Sequence, residues 1–286
     1  MKAITVKNLR FTYPNQVEET IKSISFEVER GSIFGLLGPS GAGKSTTQKI
    51  LTKLIADYRG EVTFLGKDLK DYRKEFYENV GVGFEMPIHF NKLTALENLK
   101  YFAALYKKNI DYLDLLKKVG LYDAKDQPVG NYSKGMKIRL NFVRAMLNDP
   151  DVLFLDEPTN GLDPKNARIL KDLILAEKKK GKTIVITTHL MADVEQLCDQ
   201  VVFMTKGKLS EMASPRELKI KYGKKEVAVE YQNGAGRVLD KFPMERLGHN
   251  ETFLDILKNR EIETIHSGET TLDDIFILVT GEDFHA

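Results

Sequence analysis

One stretch constrains this chain more than any other: Gly38-Pro39-Ser40-Gly41-Ala42-Gly43-Lys44-Ser45-Thr46, directly after the apolar run Ile33-Phe34-Gly35-Leu36-Leu37. Gly38-x-x-x-x-Gly43-Lys44-Ser45 matches the phosphate-binding loop pattern. Its glycines let the backbone turn tightly, so that successive N–H groups aim at phosphate oxygens. The helix expected to follow adds its positive N-terminal end. Lys44 can neutralise the outer phosphates, and the Ser45 hydroxyl is placed to ligate Mg²⁺. The competing reading is a glycine-rich turn with a solvated lysine; the strand before and the helix after argue against it.

Further short apolar runs at Val80–Phe84, Val152–Leu155, Thr183–Thr187 and Val201–Met204 alternate with helical patterns over Thr94–Tyr106, Ile110–Val119, Lys134–Leu147 and Pro164–Lys179. Such alternation predicts an α/β domain with a mostly parallel sheet. The N-terminal residues read differently. Ile4–Val6, running toward Phe11 and Tyr13, and Ile21–Val28 alternate with period two, as two strands with a turn at Pro14-Asn15. The region from about 86 to 149 carries helical patterns without a strand and reads as a helical insertion. After residue 222 alternating strands around Val227–Tyr231, Arg237–Phe242 and Glu261–Ile265 mix with helices at Thr252–Leu257 and Thr271–Val279. We therefore expect a first domain over 1–222 and a small α+β accessory domain over 223–286, in keeping with a 286-residue length.

Val152-Leu153-Phe154-Leu155-Asp156-Glu157 is an apolar strand ending in two carboxylates. Neighbouring strand residues point to opposite sides, so Asp156 can support Mg²⁺ while Glu157 polarises an attacking water. Composition narrows the classes further. Lys plus Arg number 43 against 41 Asp plus Glu, a net charge of +2, which makes no case for a general nucleic-acid binder. The single cysteine, Cys198, excludes a disulfide framework and a Cys-rich zinc site; it reads as a small hydrophobe in a helix with Val194 and Leu197. No run approaches the roughly 18 apolar residues of a membrane span, and the N-terminus lacks the apolar block of a signal peptide.

The order of motifs carries a resemblance. The phosphate loop, then Asn131-Tyr132-Ser133-Lys134-Gly135-Met136, then Val152–Glu157, then Gly161-Leu162-Asp163-Pro164, then His189 resembles ABC-type ATPases, in particular the ATP-binding subunit of an ABC transporter, over residues 2 to 222. The resemblance implies a P-loop NTPase (RecA-like) core, ATP and Mg²⁺ as ligands, and a homodimer that sandwiches ATP. It places Ser133 and Gly135 in the signature loop that meets the γ-phosphate of the other subunit. Asp163 becomes the dimer-interface loop residue and His189 the switch histidine that orients water with Glu157. Tyr13 becomes the ring stacked on adenine. His89, His249, His266 and His285 are read as ordinary surface or core residues.

Three departures from the family pattern stand out. Lys134 and Met136 replace a glycine and a glutamine of the signature loop, and Glu85 stands where the family has a glutamine, after a helix expected at about 70–79. A carboxylate can still ligate Mg²⁺ but cannot donate an amide hydrogen bond. The run Thr271-Leu272-Asp273-Asp274-Ile275-Phe276 is similar to the tail of ABC subunits of multidrug, antibiotic-resistance and lipid exporters. The reading implied is an ATPase driving export by a separate transmembrane permease, bound to the inner face of the cell membrane from the cytoplasm. Met86, Phe90 and Leu93 are candidates for contact with that partner. Two alternatives stay open: a soluble ABC ATPase acting on nucleic acid, which calls for marked basicity, a coiled coil or a zinc insertion, and a slow-turnover regulatory nucleotide-binding module.

Overall fold

The computed structural model describes every residue except Asn15, Pro87, Asn109, Ala235, Glu269 and 283–286. The turn residue Asn15 and His285 thus lie outside the described residues. β1 (Lys2–Phe11) pairs antiparallel with β2 (Ile21–Glu29), and β3 (Ile33–Leu37) runs into α1 (Lys44–Leu51). β4 (Arg59–Phe64) and β5 (Lys67–Asp68), which the sequence did not reveal, complete an antiparallel sheet in the order β2-β1-β4-β5. Two 3-10 turns, Leu69–Asp71 and Lys74–Glu78, stand where a helix was expected. Lys53 Nζ takes the carbonyls of Leu69 (2.7 Å) and Tyr72 (2.5 Å), which a continuous helix would use internally.

β6 (Val80–Gly83) follows, then α2 (Ala95–Ala103), α3 (Tyr112–Lys118) and α4 (Lys134–Ala145) without a strand between them. β7 (Val152–Asp156), α5 (Pro164–Lys179), β8 (Thr183–Thr188), α6 (Met191–Leu197), β9 (Gln200–Thr205) and β10 (Lys208–Ala213) close the central sheet. Its order is β10-β9-β3-β8-β7-β6, parallel except for β10. The apolar runs have a plain cause: these strands are covered on both faces. Phe34, Leu36, Phe154, Val185 and Met204 pack toward α1 and the antiparallel sheet. Ile33, Leu153, Leu155, Ile184 and Ile186 pack toward α2 through α5.

The C-terminal part has two fates. α7 (Pro215–Tyr222) leads to β11 (Glu226–Gln232), β12 (Arg237–Pro243), α8 (Glu251–Asn259) and β13 (Glu261–Ser267). These form a β12-β11-β13 antiparallel sheet with its own core of Val229, Tyr231, Phe242, Phe253 and Ile256. The last helix, α9 (Leu272–Thr280), instead buries Leu272, Ile275 and Phe276 against Leu37, Val201, Phe203 and Leu218. The Thr271–Asp274 motif acts as a capping box: Thr271 Oγ1 accepts from the Asp274 N–H (3.1 Å), and the Asp274 carboxylate accepts from Thr271 N (3.2 Å). Burying three such side chains stabilises the docked helix by about 1.5–3 kcal/mol each.

Candidate functional site

Four loops leave the carboxyl ends of adjacent parallel strands, the place where open α/β sheets bind ligands. The glycine-rich loop follows β3, Glu85 lies two residues beyond β6, Asp156 ends β7, and His189 follows β8. Glycine is required at both ends of the loop. A Cβ on Gly38 would sit 2.1 Å from the Met204 carbonyl oxygen; one on Gly43, at φ +110°, would lie 2.7 Å from Met204 Cε. Lys44 Nζ donates to the carbonyls of Gly38 (2.5 Å) and Pro39 (2.9 Å), holding its charge over the loop.

A cavity of about 350 Å³ collects Ser40, Gly41, Ala42, Gly43, Lys44, Ser45 and Thr46 with Glu85, Asp156 and Glu157. Gln16 and Thr20, hydrogen-bonded to each other at 3.0 Å, complete its wall; no sequence motif pointed to them. Burial lowers the Lys44 ammonium below the usual lysine value, while the charges of Glu157, Asp156 and Glu85 pull it back up. Burial raises Asp156 above the ordinary carboxyl value, a hydrogen bond from Thr187 opposes this, and the charge of Glu85 adds to the rise. A cation facing three carboxylates suits a polyphosphate together with a divalent ion. Among the described residues no group of three or more His, Cys, Asp or Glu side chains converges as a metal-ligand set. Ser45, Glu85 and Asp156 in one cavity suit Mg²⁺, which takes one or two carboxylates and completes its shell with phosphate and water.

Asp156 and Glu157 do separate, but by a different device from strand alternation. Glu157 has left the strand with φ +47°, a left-handed conformation costly for a residue with a Cβ. Its carboxylate is only 8% exposed and is held at both oxygens. Oε1 meets His189 Nδ1 at 2.8 Å, and Oε2 accepts from Thr188 Oγ1 at 3.0 Å. Thr188 and its neighbour Thr187, which donates to Asp156, are polar residues at the strand's end and the supports that sequence reading passed over. Tyr13 is half-buried, edge-on to Phe11 at a 4.8 Å centroid distance, with its hydroxyl 3.2 Å from Thr46 Oγ1. It therefore sits beside the first turn of α1.

The remaining expected residues are not gathered into this cavity. Ser133 is exposed and caps α4, its Oγ accepting from Met136 N at 3.2 Å. Asp163 is exposed and caps α5, accepting from Asn166 N at 3.0 Å. A Cβ on Gly135 would meet Leu162 at 3.3 Å, and one on Gly161 would meet Lys134 at 2.9 Å, so the two loops pack on each other. His89 is buried with Nε2 3.2 Å from the Lys137 carbonyl oxygen, and burial pushes it down to about 4; His249 and His266 are exposed. Cys198 is not within a helix. It is the extended residue that terminates α6, where burial pushes its thiol up to about 12.

Comparison with known proteins agrees with this geometry. Residues 21–160 match the ABC transporter family, and residues 225–269 match the C-terminal domain of fluoroquinolone efflux ABC transporters. The chain is 48% identical to a fluoroquinolones export ATP-binding protein of Mycobacterium tuberculosis, over 98% of this chain and 94% of that one. A solved ATP-binding subunit of an ABC transporter superposes with a TM-score of 0.70 at 29% identity, covering 77% of this chain and 93% of that one. A dimeric bacterial ABC transporter cassette superposes with a TM-score of 0.68 at 25% identity, covering 74% and 98%. Among the described residues no helix is long and apolar enough to cross a membrane. The chain belongs to the ABC transporter family, as one of its ATP-binding, ATP-hydrolysing subunits.

Proposed function

We propose that this subunit powers export of fluoroquinolone-type drugs through a separate membrane-spanning permease. Two copies close around two ATP molecules and reopen after hydrolysis, at the inner face of the cell membrane. The observation that carries the cargo reading is the likeness to a fluoroquinolone exporter subunit over nearly the whole chain, including 225–269. We divide the chain into a cassette over 1–222 and an accessory domain over 223–286, whose last helix, α9, packs back on the cassette.

Lys44 and the backbone N–H groups of the loop from Gly38 to Thr46, Pro39 excepted, hold the triphosphate, and Tyr13 stacks on the base. Ser45, Asp156 and Glu85 would hold Mg²⁺, which would supply charge neutralisation at the triphosphate when bound. Glu157, oriented by His189 and Thr188, takes a proton from water. The water oxygen bonds to the γ-phosphorus as the bond to the bridging oxygen breaks, leaving ADP and phosphate. Ser133, Gly135 and Asp163 serve the ATP held by the other copy. The permease docks on the apolar surface around Met86 (79% exposed), Ile88 (81% exposed), Phe90 and Tyr101. Leu93 is half-buried at its border.

The test uses membrane vesicles carrying the co-expressed permease, with ciprofloxacin as cargo. The unaltered chain should co-purify with the permease and drive ATP-dependent drug transport. Glu157→Gln should lower hydrolysis by about 10²–10⁴-fold while ATP still binds. Transport unaffected by this substitution, or no ciprofloxacin transport with the unaltered chain, would overturn the reading.

A further inference from the structure

A second cavity is larger than the one at Lys44. It opens over about 850 Å³ between α7, the residues just before β11, those just after β12, and Gly268 and Thr270, a volume suited to a drug-sized molecule. Its wall combines two chemistries. Ile220 and Met244 are apolar yet 61% and 48% exposed, forming an uncovered floor. Around them, among the described residues, Arg216, Lys219, Lys224 and Lys225 outnumber the carboxylates Glu195 and Glu245. Lys219 pairs with Glu195 at 2.8 Å. Arg216, Lys224 and Lys225 make no ion pair among the described residues.

Cations over an apolar floor select an anion with a flat apolar body. A guanidinium can stack on an aromatic ring or grip a carboxylate with two parallel hydrogen bonds, while exposed Ile and Met surface gains from covering the ring. We propose that this cavity binds an aromatic carboxylate of the fluoroquinolone class and that its occupancy adjusts ATP hydrolysis. The ligand's class rests on the cargo reading above; the cavity and its charge do not. Lys225, Met244 and Glu245 come from the segment that matches the fluoroquinolone-efflux C-terminal domain.

The route to the reacting centre is short. Glu195 lies on α6, which begins just beyond His189. On the same helix Asp193 accepts from Thr159 Oγ1, two residues past Glu157, and from Lys171 Nζ at 3.0 Å. A carboxylate that competes with Glu195 for Lys219 therefore loosens α6 at one end, while the Glu157–His189 pair stands at the other.

Ciprofloxacin is fluorescent and the chain contains no tryptophan, so its anisotropy can be followed while full-length protein is added. Saturable binding is expected, weakened about tenfold or more by Arg216→Glu combined with Lys225→Glu, with ATP affinity unchanged as the check on folding. Saturating drug should change the hydrolysis rate of the unaltered protein by about fivefold, and that of the double variant much less. Absence of saturable binding, or equal affinity in the variant, overturns the site. Binding that leaves hydrolysis unchanged overturns the coupling through α6. Vesicle transport separates the two readings: transport without binding by the purified chain removes the cavity alone, and binding without transport removes the cargo reading alone.

Discussion

The chain carries two halves of a nucleotide-handling machine, and they are finished to different degrees. Around Lys44 the loops of four neighbouring strands converge, and Glu157, its side chain withdrawn from solvent, is fixed at both carboxylate oxygens. Around Ser133 and Asp163 the local geometry is equally definite, with two capped helices and two loops in mutual contact, yet the surface they present is open. The first half is closed around Glu157, where a low dielectric strengthens each interaction that steers charge. The second offers a hydroxyl and helix N–H groups outward, an arrangement that gains an anionic partner only from outside the chain. On the proposed function one chain supplies two tasks that it cannot perform on the same ATP, holding a triphosphate and covering one, and symmetry between copies is what would reconcile them.

The sharpest way to break this comparison is to damage each half separately. Ser133→Arg places a bulky cation where the covering surface should meet phosphate. It should leave ATP binding by the isolated chain intact and reduce steady-state hydrolysis by about 10²-fold or more. Lys44→Ala should lose both. Mixing the two inactive variants should restore hydrolysis, because the intact loop of one chain then faces the intact Ser133 of the other. If Ser133→Arg hydrolyses ATP normally, or the mixture stays inactive, the halves do not complete one another.

What the sequence made legible follows the same division. Gly38, Gly43, Lys44 and the Asp156-Glu157 pair could be read because backbone geometry and charge leave few alternatives at those positions. The strand order could not, yet it is what brings Glu85 and His189 beside them. Thr187, Thr188, Gln16 and Thr20 escaped because a threonine at a strand end or a polar residue in a loop has many ordinary uses. β4 and β5 were invisible because a short strand of the pattern Arg59-Gly60-Glu61-Val62-Thr63-Phe64 carries only two fully buried apolar side chains. Thr271–Phe276 was recognised as a motif, but only packing shows that its helix returns to the cassette and buries Phe276 against Phe203 at a 5.3 Å centroid distance. Cys198 was misplaced by one residue, since Val194 and Leu197 continue a helical stripe that the backbone abandons at that point.

A smaller effect tests the closed half alone. Glu85 adds a third carboxylate to the cavity and pushes Asp156 upward. Glu85→Gln removes that charge and supplies an amide donor. The Mg²⁺ concentration for half-maximal hydrolysis should rise several-fold, with the maximal rate changed by less than about tenfold. Steady-state ATPase measured against Mg²⁺ concentration decides it; unchanged rate and unchanged Mg²⁺ dependence remove any role for this departure.

The smallest effect concerns the open half, where pH can separate the cap that Asp163 makes from the interface role proposed for it. Within its own chain it caps α5, and its hydrogen bonds from the Asn166 side chain and backbone hold its carboxyl below the ordinary aspartate value of 3.8. A depressed folded-state value means that the cap contributes stability above the unfolded-state value, and that this contribution is lost as pH falls through the folded one. Asp163→Ala should therefore melt lower than the unaltered chain at pH 7, and the gap should close as the pH is taken below the usual aspartate range. Asp163→Asn keeps a capping oxygen, so it should restore most of the melting temperature while its charge stays absent at every pH. Hydrolysis then reports the second task. If Asp163→Asn is as stable as the original yet hydrolyses more slowly, the residue's charge is used by the neighbouring copy. If it recovers both stability and rate, Asp163 is a helix cap alone, and the open half rests on Ser133 and Gly135.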